Sequence, residues 1–524
     1  MTVRIVTEPL GGPELARLAQ AGSAPADWYP PRPRGTAEWL RHADQVRASV
    51  PAGWLEALSP AFGDSSGGVP PRLARTAAGR GVIVTTGQQP GLFGGPVYTW
   101  SKALSALALA DALEAATGVP VAPVFWAATD DSDFAEASST MFARAGGADR
   151  VAIEPTAPDG TRMSDVPLPD MAALLERLAE ACGSSADARP LAAARQAYGR
   201  GAGATVGSAY VELLRVLLEP LGVAVLDASH PAVGVAAHPL AIRALHERER
   251  VTRALAARGR DLVAAGHEPQ VSEVRDMTLV FERKGPRRER ITRARAAVAA
   301  AGAEPGSLSP NVLLRPVVER ALLPSVAYVA GPGEMAYFAQ VSAVAQALDL
   351  DTPLVVPRWS TTLVEPDVAA ILERYGLAIA DFAEPDAVET RLARDAWPSA
   401  LAEALRTMRS DTARNLSRVR AALHELDGLV AEATVDGAGR GMEWRLGRLE
   451  RRITAAVKRR ESALMRDLGT VRGSLYPGGI RQERALNLIP LMARHGLGLL
   501  DAMRARAAVH ARSLLESAEA AVAP

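Results

Sequence analysis

Cysteine is almost absent from this chain. Cys182 is the only cysteine among 524 residues, which excludes an internal disulfide and any zinc or iron–sulfur site built from several cysteines. A chain without disulfides fits a reducing compartment, so the cytoplasm is the expected location. Because cysteine is among the most readily buried residue types, Cys182 is expected to lie in the core.

Long apolar runs are also absent. No run of about eighteen apolar residues occurs, so no membrane-spanning helix is predicted. The first twenty residues lack a basic segment followed by an apolar core, and no secretory signal is expected.

Neither sign of charge is in excess. Lys plus Arg and Asp plus Glu each total 59, so no overall field favours nucleic acid or an anionic membrane as a partner. Histidine is scarce: the chain has eight, and none lies between His42 and His230. None of them has metal-ligand spacing, so no metal site is predicted.

The most informative stretch is residues 81–136. An apolar run is followed by a glycine-rich loop at 85–95, a helical pattern from about 97 to 116, and a second apolar run at 119–126. This order predicts a strand, a loop, a helix and a strand. A right-handed crossover makes the two strands parallel and places both carboxyl ends at one edge, where open α/β sheets bind ligands.

The loop between this first strand and the helix has the composition of an anion site. Bare backbone amides ahead of a helix attract phosphate or carboxylate groups, and a tight structural turn is the alternative interpretation. No Gly-Lys-Ser/Thr follows, so this is not a Walker loop. The candidate binding residues are Gly87, Gln88, Gln89, Gly94 and Gly95.

Two polar groups follow the loop. Tyr98 and Lys102 are four residues apart and share a helix face, so the lysine could contact an anion held by the loop, or else be exposed and solvated. Asp130, Asp131 and Asp133 crowd together after the second strand. Like charges this close favour a compensating substrate amine or a raised pKa, and a carboxylate can serve as a general base toward an amine. We take Lys102, Asp131 and Asp133 as candidate catalytic residues and Asp130 as a binding residue, with a solvated acidic loop as the alternative.

A second glycine turn enters a helix near residue 331. Glu334 falls in the first helical turn, where the helix dipole favours a negative charge, and this gives it a sufficient structural role as well. Arginines at segment ends can clamp a carboxylate with two hydrogen bonds. The candidate binding residues in this region are Gly331, Gly333, Glu334, Tyr337 and Gln340, with Arg315 and Arg358 as clamps.

The chain divides into three predicted segments. Residues 1–80 form an N-terminal arm that aromatic side chains pack onto the core. Residues 81–366 form an α/β core with a parallel sheet and connecting inserts at about 150–300, including a β-hairpin at 270–291. Residues 367–524 are helical.

The helical segment has two apolar seams. Apolar residues step by threes and fours from Leu405 to Val430 and from Leu446 to Val471, and a glycine-rich turn is predicted between them at 436–441. This is the pattern of an antiparallel α-helical coiled coil. Such an arm buries little against its own body, so a homodimer through the coiled coil is predicted.

Five segments, taken together and in order, resemble the BshC family. They are residues 86–99 (TGQQPGLFGGPVYT), 123–136 (PVFWAATDDSDFAE), 314–340, 355–366 and 476–497. The resemblance implies a Rossmann-like core with connecting inserts and a coiled coil that mediates dimerisation. It also implies a cysteine ligase that joins the carboxyl of cysteine to the amine of glucosaminyl malate in the last step of bacillithiol biosynthesis. Amide formation needs an activated acyl donor, so ATP or another nucleotide is a possible cofactor, although no residue identifies it.

Two other functions stay open at this point. The chain could be a divergent relative that couples a different amino acid to another amine, or a non-catalytic member that binds ligands. The family commonly has histidine where this chain has Ser101, Ser132 and Ser139. If those imidazoles move protons elsewhere in the family, other groups must do so here.

Overall fold

A computed structural model of the chain describes residues 2–63, 68–201, 203–425 and 430–516. The chain divides into two compact units. The first contains Met1–Phe142, Asp149–Val364 and Gln482–Pro524, and the second contains Ala143–Ala148 and Glu365–Arg481.

The regular elements follow one another along the described chain. The strands are β1 (Arg4–Glu8), β2 (Val82–Gln88), β3 (Val121–Ala127), β4 (Ser139–Arg144), β5 (Gly147–Ala152), β6 (Ala224–Asp227), β7 (Met277–Lys284), β8 (Arg287–Thr292), β9 (Leu308–Pro310), β10 (Ser325–Ala330), β11 (Val355–Pro357) and β12 (Ser360–Val364). The helices are α1 (Glu14–Ala21), α2 (Gly35–Ala48), α3 (Trp54–Phe62), α4 (Pro71–Ala78), α5 (Val97–Thr117), α6 (Phe134–Ala137), α7 (Ala172–Cys182), α8 (Arg189–Tyr198), α9 (Val206–Leu218), α10 (Pro231–His246), α11 (Arg248–Ala264), α12 (Ala296–Gly302), α13 (Arg315–Leu322), α14 (Pro332–Ala347), α15 (Pro366–Arg374), α16 (Pro385–Asp395), α17 (Ser399–His424), α18 (Glu432–Arg460), α19 (Ser462–Leu475), α20 (Gln482–Ala485), α21 (Ile489–His495) and α22 (Gly498–Leu515).

The first unit is built on a five-stranded sheet in the order β11-β10-β2-β3-β6, and all its strand pairs are parallel. Every residue of β3 and of β10 is buried. Strands buried on both faces are typical of a parallel sheet covered by helices on each side. The predicted α/β class with a Rossmann-like parallel sheet is confirmed.

The order of connections places the ligand crevice. Helix α5 joins β2 to β3 on one side of the sheet, and α14 joins β10 to β11 on the other. The direction of winding therefore reverses between β2 and β10, and the carboxyl ends of these two strands open the crevice where α/β sheets bind ligands. The helix predicted at about 97–116 is found at Val97–Thr117, where it stops at Gly118 with φ of 71°.

The inserts add a small antiparallel sheet in the order β8-β7-β9. The predicted hairpin is confirmed as β7 and β8, and Gly285 at its turn has φ of 60°. Just after the turn, the Arg288 amide donates to the carbonyl of Gly160 at 3.3 Å. This bond attaches the hairpin to the preceding insert and brings the Arg288 side chain to the crevice.

The second unit contains the coiled coil, formed by α17 and α18. Their ion pairs run in opposite directions along the two helices: Arg409 contacts Glu443 at 2.8 Å and Glu450 at 3.0 Å, and Arg420 pairs with Asp436. The predicted antiparallel coiled coil is confirmed.

The predicted turn at 436–441 is wrong, because these residues lie inside α18. Each glycine costs about 1 kcal/mol in a helix interior, but packing against a partner helix outweighs local preference. Gly439 shows how glycine allows close packing here, since a Cβ at this position would lie only 3.2 Å from a methyl carbon of Leu416 on α17. Helix α17 ends at His424 and α18 begins at Glu432, so the glycines come after the start of the second helix. Residues 426–429 lie outside the described ones.

Among the residues that the structure describes, no helix combines the length and the apolarity needed to cross a membrane.

Candidate active site

A cavity of about 280 Å³ opens at the carboxyl ends of β2, β3 and β10. It brings together side chains that are far apart in the sequence. The sequence-predicted residues that line it are Gly87, Gln88, Gln89, Tyr98, Lys102, Asp130, Asp131, Arg315, Gly331, Gly333, Glu334, Tyr337 and Arg358.

Lys102 lies at the centre of this set and is buried, not solvated. Its Nζ donates to the carbonyl of Gly87 at 2.8 Å and to Oε1 of Gln88 at 3.0 Å, and it forms an ion pair with Glu334. Burial lowers the pKa of Lys102, and the attraction of Glu334 opposes that shift. Lys102 therefore connects the end of β2 to the start of α14, the helix after β10.

Glu334 is held by several donors at the start of α14. It accepts the Gly331 amide at 2.7 Å and the Tyr328 hydroxyl at 2.7 Å, in addition to Lys102. Burial acts to raise the pKa of Glu334, but Lys102 and the Gly331 and Tyr328 donors together outweigh burial, and the pKa is lowered. The negative charge of Glu334 is therefore balanced by Lys102 of the same chain.

A second buried pair lies on α13. Arg315 contacts Glu319 at 3.2 Å and the Tyr328 hydroxyl at 3.2 Å. Burial raises the pKa of Glu319 to about 7, against the opposing effect of Arg315. Glu319 therefore titrates much nearer to neutral pH than an ordinary glutamate.

Arg358 does clamp a carboxylate, but one from this chain. Two of its nitrogens donate to the oxygens of Glu483 at 2.7 and 2.9 Å. Its Nε is buried and has no hydrogen-bond partner among the described residues. The guanidinium carbons of Arg358 and Arg484 lie 5.8 and 6.0 Å from the centre of the Tyr98 ring. Two arginines, one of them bound to Glu483 and with one unused donor, therefore border the cavity.

The acidic residues after β3 differ from one another. Asp131 accepts from Arg288 at 2.9 Å, from Gln89 at 2.5 Å and from the Ser132 amide at 2.6 Å. Asp130 has a more distant partner, with its Oδ2 lying 3.8 Å from a guanidinium nitrogen of Arg288. Burial raises the pKa of Asp130, Arg288 lowers it and Asp131 raises it further. Asp131 is a fixed anchor, whereas Asp130 is the more weakly bound carboxylate.

Other predicted residues lie elsewhere. Asp133 is exposed and caps the short helix α6 by accepting the Glu136 amide at 3.2 Å. Gly94 and Gly95 are buried beside α5, where a Cβ on Gly94 would lie 2.8 Å from the Trp100 ring. The side chain of Gln340 exchanges two hydrogen bonds with the backbone of Val271 at 2.8 and 3.0 Å. These four residues are not among those that line the cavity, and their predicted roles stay predictions.

The three serines at positions where the family commonly has histidine have local hydrogen-bond partners. The Ser101 hydroxyl donates to the Val97 carbonyl one turn back in α5, Ser132 lies 3.4 Å from Arg288, and Ser139 accepts from Arg150 at 3.0 Å. The free Cys182 is buried, and burial raises the pKa of its thiol to about 11.

Sequence reasoning missed several residues of the site. Arg288 lies in a short basic run that reads as a solvated turn, and only the hairpin brings it to the acidic cluster. Glu483 and Arg484 belong to the fifth of the family-like segments, which was the signal that could have found them. Asn311 also lines the cavity and carried no sequence signal.

Family comparison agrees with this geometry. Residues 65–359 match the family model described as the N-terminal Rossmann-like domain of bacillithiol biosynthesis BshC, and residues 361–511 match its C-terminal coiled-coil domain. The chain belongs to the BshC family.

The similar proteins include three relatives with the name "Putative cysteine ligase BshC". The one from Solibacter usitatus is 33% identical over 82% of this chain and 83% of its own length. The one from Koribacter versatilis is 34% identical over 80% and 81%. The one from Salinibacter ruber is 31% identical over 81% and 80%.

Proposed function

We propose that this chain is a cysteine ligase that forms an amide bond between the carboxyl of cysteine and the amine of glucosaminyl malate, in the last step of bacillithiol biosynthesis. The observation that carries the proposal is that basic and acidic side chains line different parts of the cavity. Lys102 and Arg358 lie near the ends of β2 and β11, and Asp130 lies at the end of β3. A substrate with carboxylates at one end and an amine at the other matches this division, and glucosaminyl malate has both.

The end of the cavity with Lys102 and Arg358 suits an anionic group because Arg358 has a hydrogen-bond donor without a partner among the described residues. A buried N–H without a partner costs about 1–3 kcal/mol, and the Nε of Arg358 is such a group. A malate carboxylate or a phosphate group that accepts this hydrogen bond would remove the cost. A nucleotide such as ATP, when bound, would supply a leaving group on the carboxyl of cysteine.

The acidic end suits an amine. In the proposed reaction the amine nitrogen attacks the activated carboxyl carbon, the new carbon–nitrogen bond forms, and the leaving group departs with the electrons of its bond. Asp130 accepts the proton that the nitrogen loses. Burial raises the pKa of Asp130, and a base whose pKa is nearer to neutrality is a better proton acceptor in such a step. We assign Asp131 the role of a positioning residue, held by Arg288 and Gln89.

We further propose that the active form is a homodimer joined through the coiled coil. Apolar side chains of α17 and α18 are exposed on the chain by itself, including Met408 at 49%, Val419 at 49% and Trp444 at 58%. A second copy of the chain would cover them. The cytoplasmic location stays a prediction.

The test of the function is a profile of small thiols in the native organism with this gene deleted. Loss of bacillithiol with accumulation of glucosaminyl malate is expected, and the intact gene should restore the profile where an Asp130→Asn copy does not. If bacillithiol persists after deletion, or the organism never makes it, the proposed substrates are wrong.

A further inference from the structure

A second, smaller cavity of about 180 Å³ adjoins the candidate active site. Asp130 and Arg288 line both cavities. The smaller cavity extends past the ends of β3 and β6, where Trp126 and His230 contribute to its lining. The two cavities therefore share a wall, in which a carboxylate oxygen of Asp130 and a guanidinium nitrogen of Arg288 lie 3.8 Å apart.

The lining of the smaller cavity is rich in cations. Arg162, Arg283 and Arg288 all contribute to it. Arg162 and Arg283 share Asp165 as their counterion, at 2.7 and 3.8 Å, so two guanidinium groups are balanced by one carboxylate. An arrangement of this kind favours a ligand that brings a negative charge.

His230 adds a neutral donor. Its Nδ1 accepts the Ala232 amide at 3.2 Å and so caps helix α10. A neutral imidazole that accepts at Nδ1 carries its proton on Nε2. The capping bond therefore leaves His230 with an N–H to offer.

Trp126 supplies an independent observation. Its side chain is only 2% exposed, and its indole N–H has no partner among the described residues. An indole nitrogen can only donate, and leaving such a donor unpaired costs free energy. Trp126 therefore has an unused donor beside this cavity, which a ligand that accepts a hydrogen bond would satisfy.

The volume sets the size of that ligand. A water molecule occupies about 30 Å³ in the liquid, so the cavity has room for roughly six water-sized groups. A small amino acid is of this size, and this cavity is the smaller of the two, at about 180 Å³ against about 280 Å³.

We propose that this smaller cavity binds the amino-acid substrate, with its carboxylate toward Arg162 and Arg283, which share one counterion, and hydrogen-bonded by the neighbouring N–H donors. Asp130 lines both cavities, so an amine of the larger substrate held at Asp130 borders the cavity that contains the carboxyl carbon. Asp130 also places a negative charge near the ammonium group of the amino acid. The identity of the amino acid as cysteine rests on the proposed function.

Equilibrium dialysis of the full chain against radiolabelled L-cysteine under reducing conditions tests the site. Trp126→Phe removes the unused N–H, and His230→Asn removes the ring donor but keeps a good helix cap. Trp39→Phe is the matched control, since Trp39 is also buried with an unpartnered N–H but lies in α2. We expect each site variant to weaken cysteine binding roughly tenfold, and the control to stay within about twofold of the unaltered chain. Cysteamine, which lacks the carboxylate, should not compete.

The proposal is overturned if Trp126→Phe and His230→Asn bind cysteine as the control does, if cysteamine competes as well as cysteine, or if no small amino acid binds. The proposed function fails separately. If L-serine or another small amino acid binds in place of cysteine and Trp126→Phe weakens it, the site stands and the substrate assignment falls. If the gene is needed for bacillithiol but the variants bind cysteine normally, the function stands and the site falls.

Discussion

At the scale of single residues, burial decides what each charged group can do. Lys102 and Glu334 neutralise each other inside the protein, and Asp131 is neutralised by Arg288. Asp130 is partly buried, but its cation is 3.8 Å away. Two neighbouring aspartates therefore have different chemistry, since one is fixed by short hydrogen bonds and the other is free to meet a substrate.

This difference predicts the effect of removing one charge. Asp130→Asn should lower kcat/KM by about 10²–10⁴-fold, because a lost proton acceptor commonly costs that much. Asp133→Asn should lower it by less than about threefold, since Asp133 is exposed and caps a short helix. Steady-state rates of the purified variants decide this, with circular dichroism to check folding. Equal losses in the two variants would refute the assignment of the proton acceptor.

Glu319 predicts a pH dependence of stability. The folded chain holds the Glu319 proton up to about pH 7, whereas the ordinary pKa is 4.5. The folded state therefore binds more protons between these values, and stability falls as pH rises through this window. This shift corresponds to a loss of about 2–3 kcal/mol between about pH 5 and about pH 8.

Glu319→Gln should remove most of that loss, because glutamine does not titrate. Urea unfolding of both proteins at the two pH values measures the change. An unaltered pH slope in the variant would show that Glu319 ionises normally in the folded chain.

At the scale of elements, two segments gain their roles from their partners. The hairpin of β7 and β8 looks like a solvated basic turn by itself, yet it delivers Arg288 to both cavities. Helix α18 continues through Gly437, Gly439 and Gly441, which disfavour an isolated helix, because it packs along α17. In both cases a tertiary contact outweighs local preference.

The continuity of α18 predicts the effect of alanine at Gly441. A Cβ there has nothing within 4 Å, and alanine is favoured over glycine in a helix, so Gly441→Ala should stabilise the chain by about 0.5–1 kcal/mol. Gly479→Ala is the matched control. It also has open space, but its φ of 78° is unfavourable for alanine, and it should destabilise by about 1 kcal/mol or more. Chemical unfolding measures both, and a destabilising Gly441→Ala would mean that the helix is broken there.

At the scale of the whole molecule, the exposed apolar surface of the coiled coil predicts dimerisation. Exposed apolar residues on α17 and α18 have no cover within the described chain, and burial of such a surface drives association. Val419→Glu on α17 should therefore convert a dimer into a monomer.

Val298→Glu is the matched control, because Val298 is a more exposed valine, at 75%, outside the coiled coil. It should leave the mass unchanged. Light scattering coupled to size exclusion measures both variants. A monomeric unaltered chain, or two variants with the same mass, would contradict dimerisation through the coiled coil.

The sequence by itself determined the local elements and their class. Apolar strands ahead of glycine-rich loops, the helical repeat at 97–116 and the long apolar seams depend on neighbouring residues. The structure has a parallel sheet and a coiled coil where these patterns predict them. It also placed most cavity residues correctly at one edge of the sheet, because parallel strands bring their carboxyl ends together.

Only the tertiary structure decided which of those residues are free to react. The pairing of Lys102 with Glu334, the clamp between Arg358 and Glu483, and the arrival of Arg288 all join segments that are distant in the sequence. Ion pairing and burial depend on distances in space, and no local pattern contains them. The same reason applies to the second cavity, whose lining comes from β3, the start of α10 and the inserted hairpin.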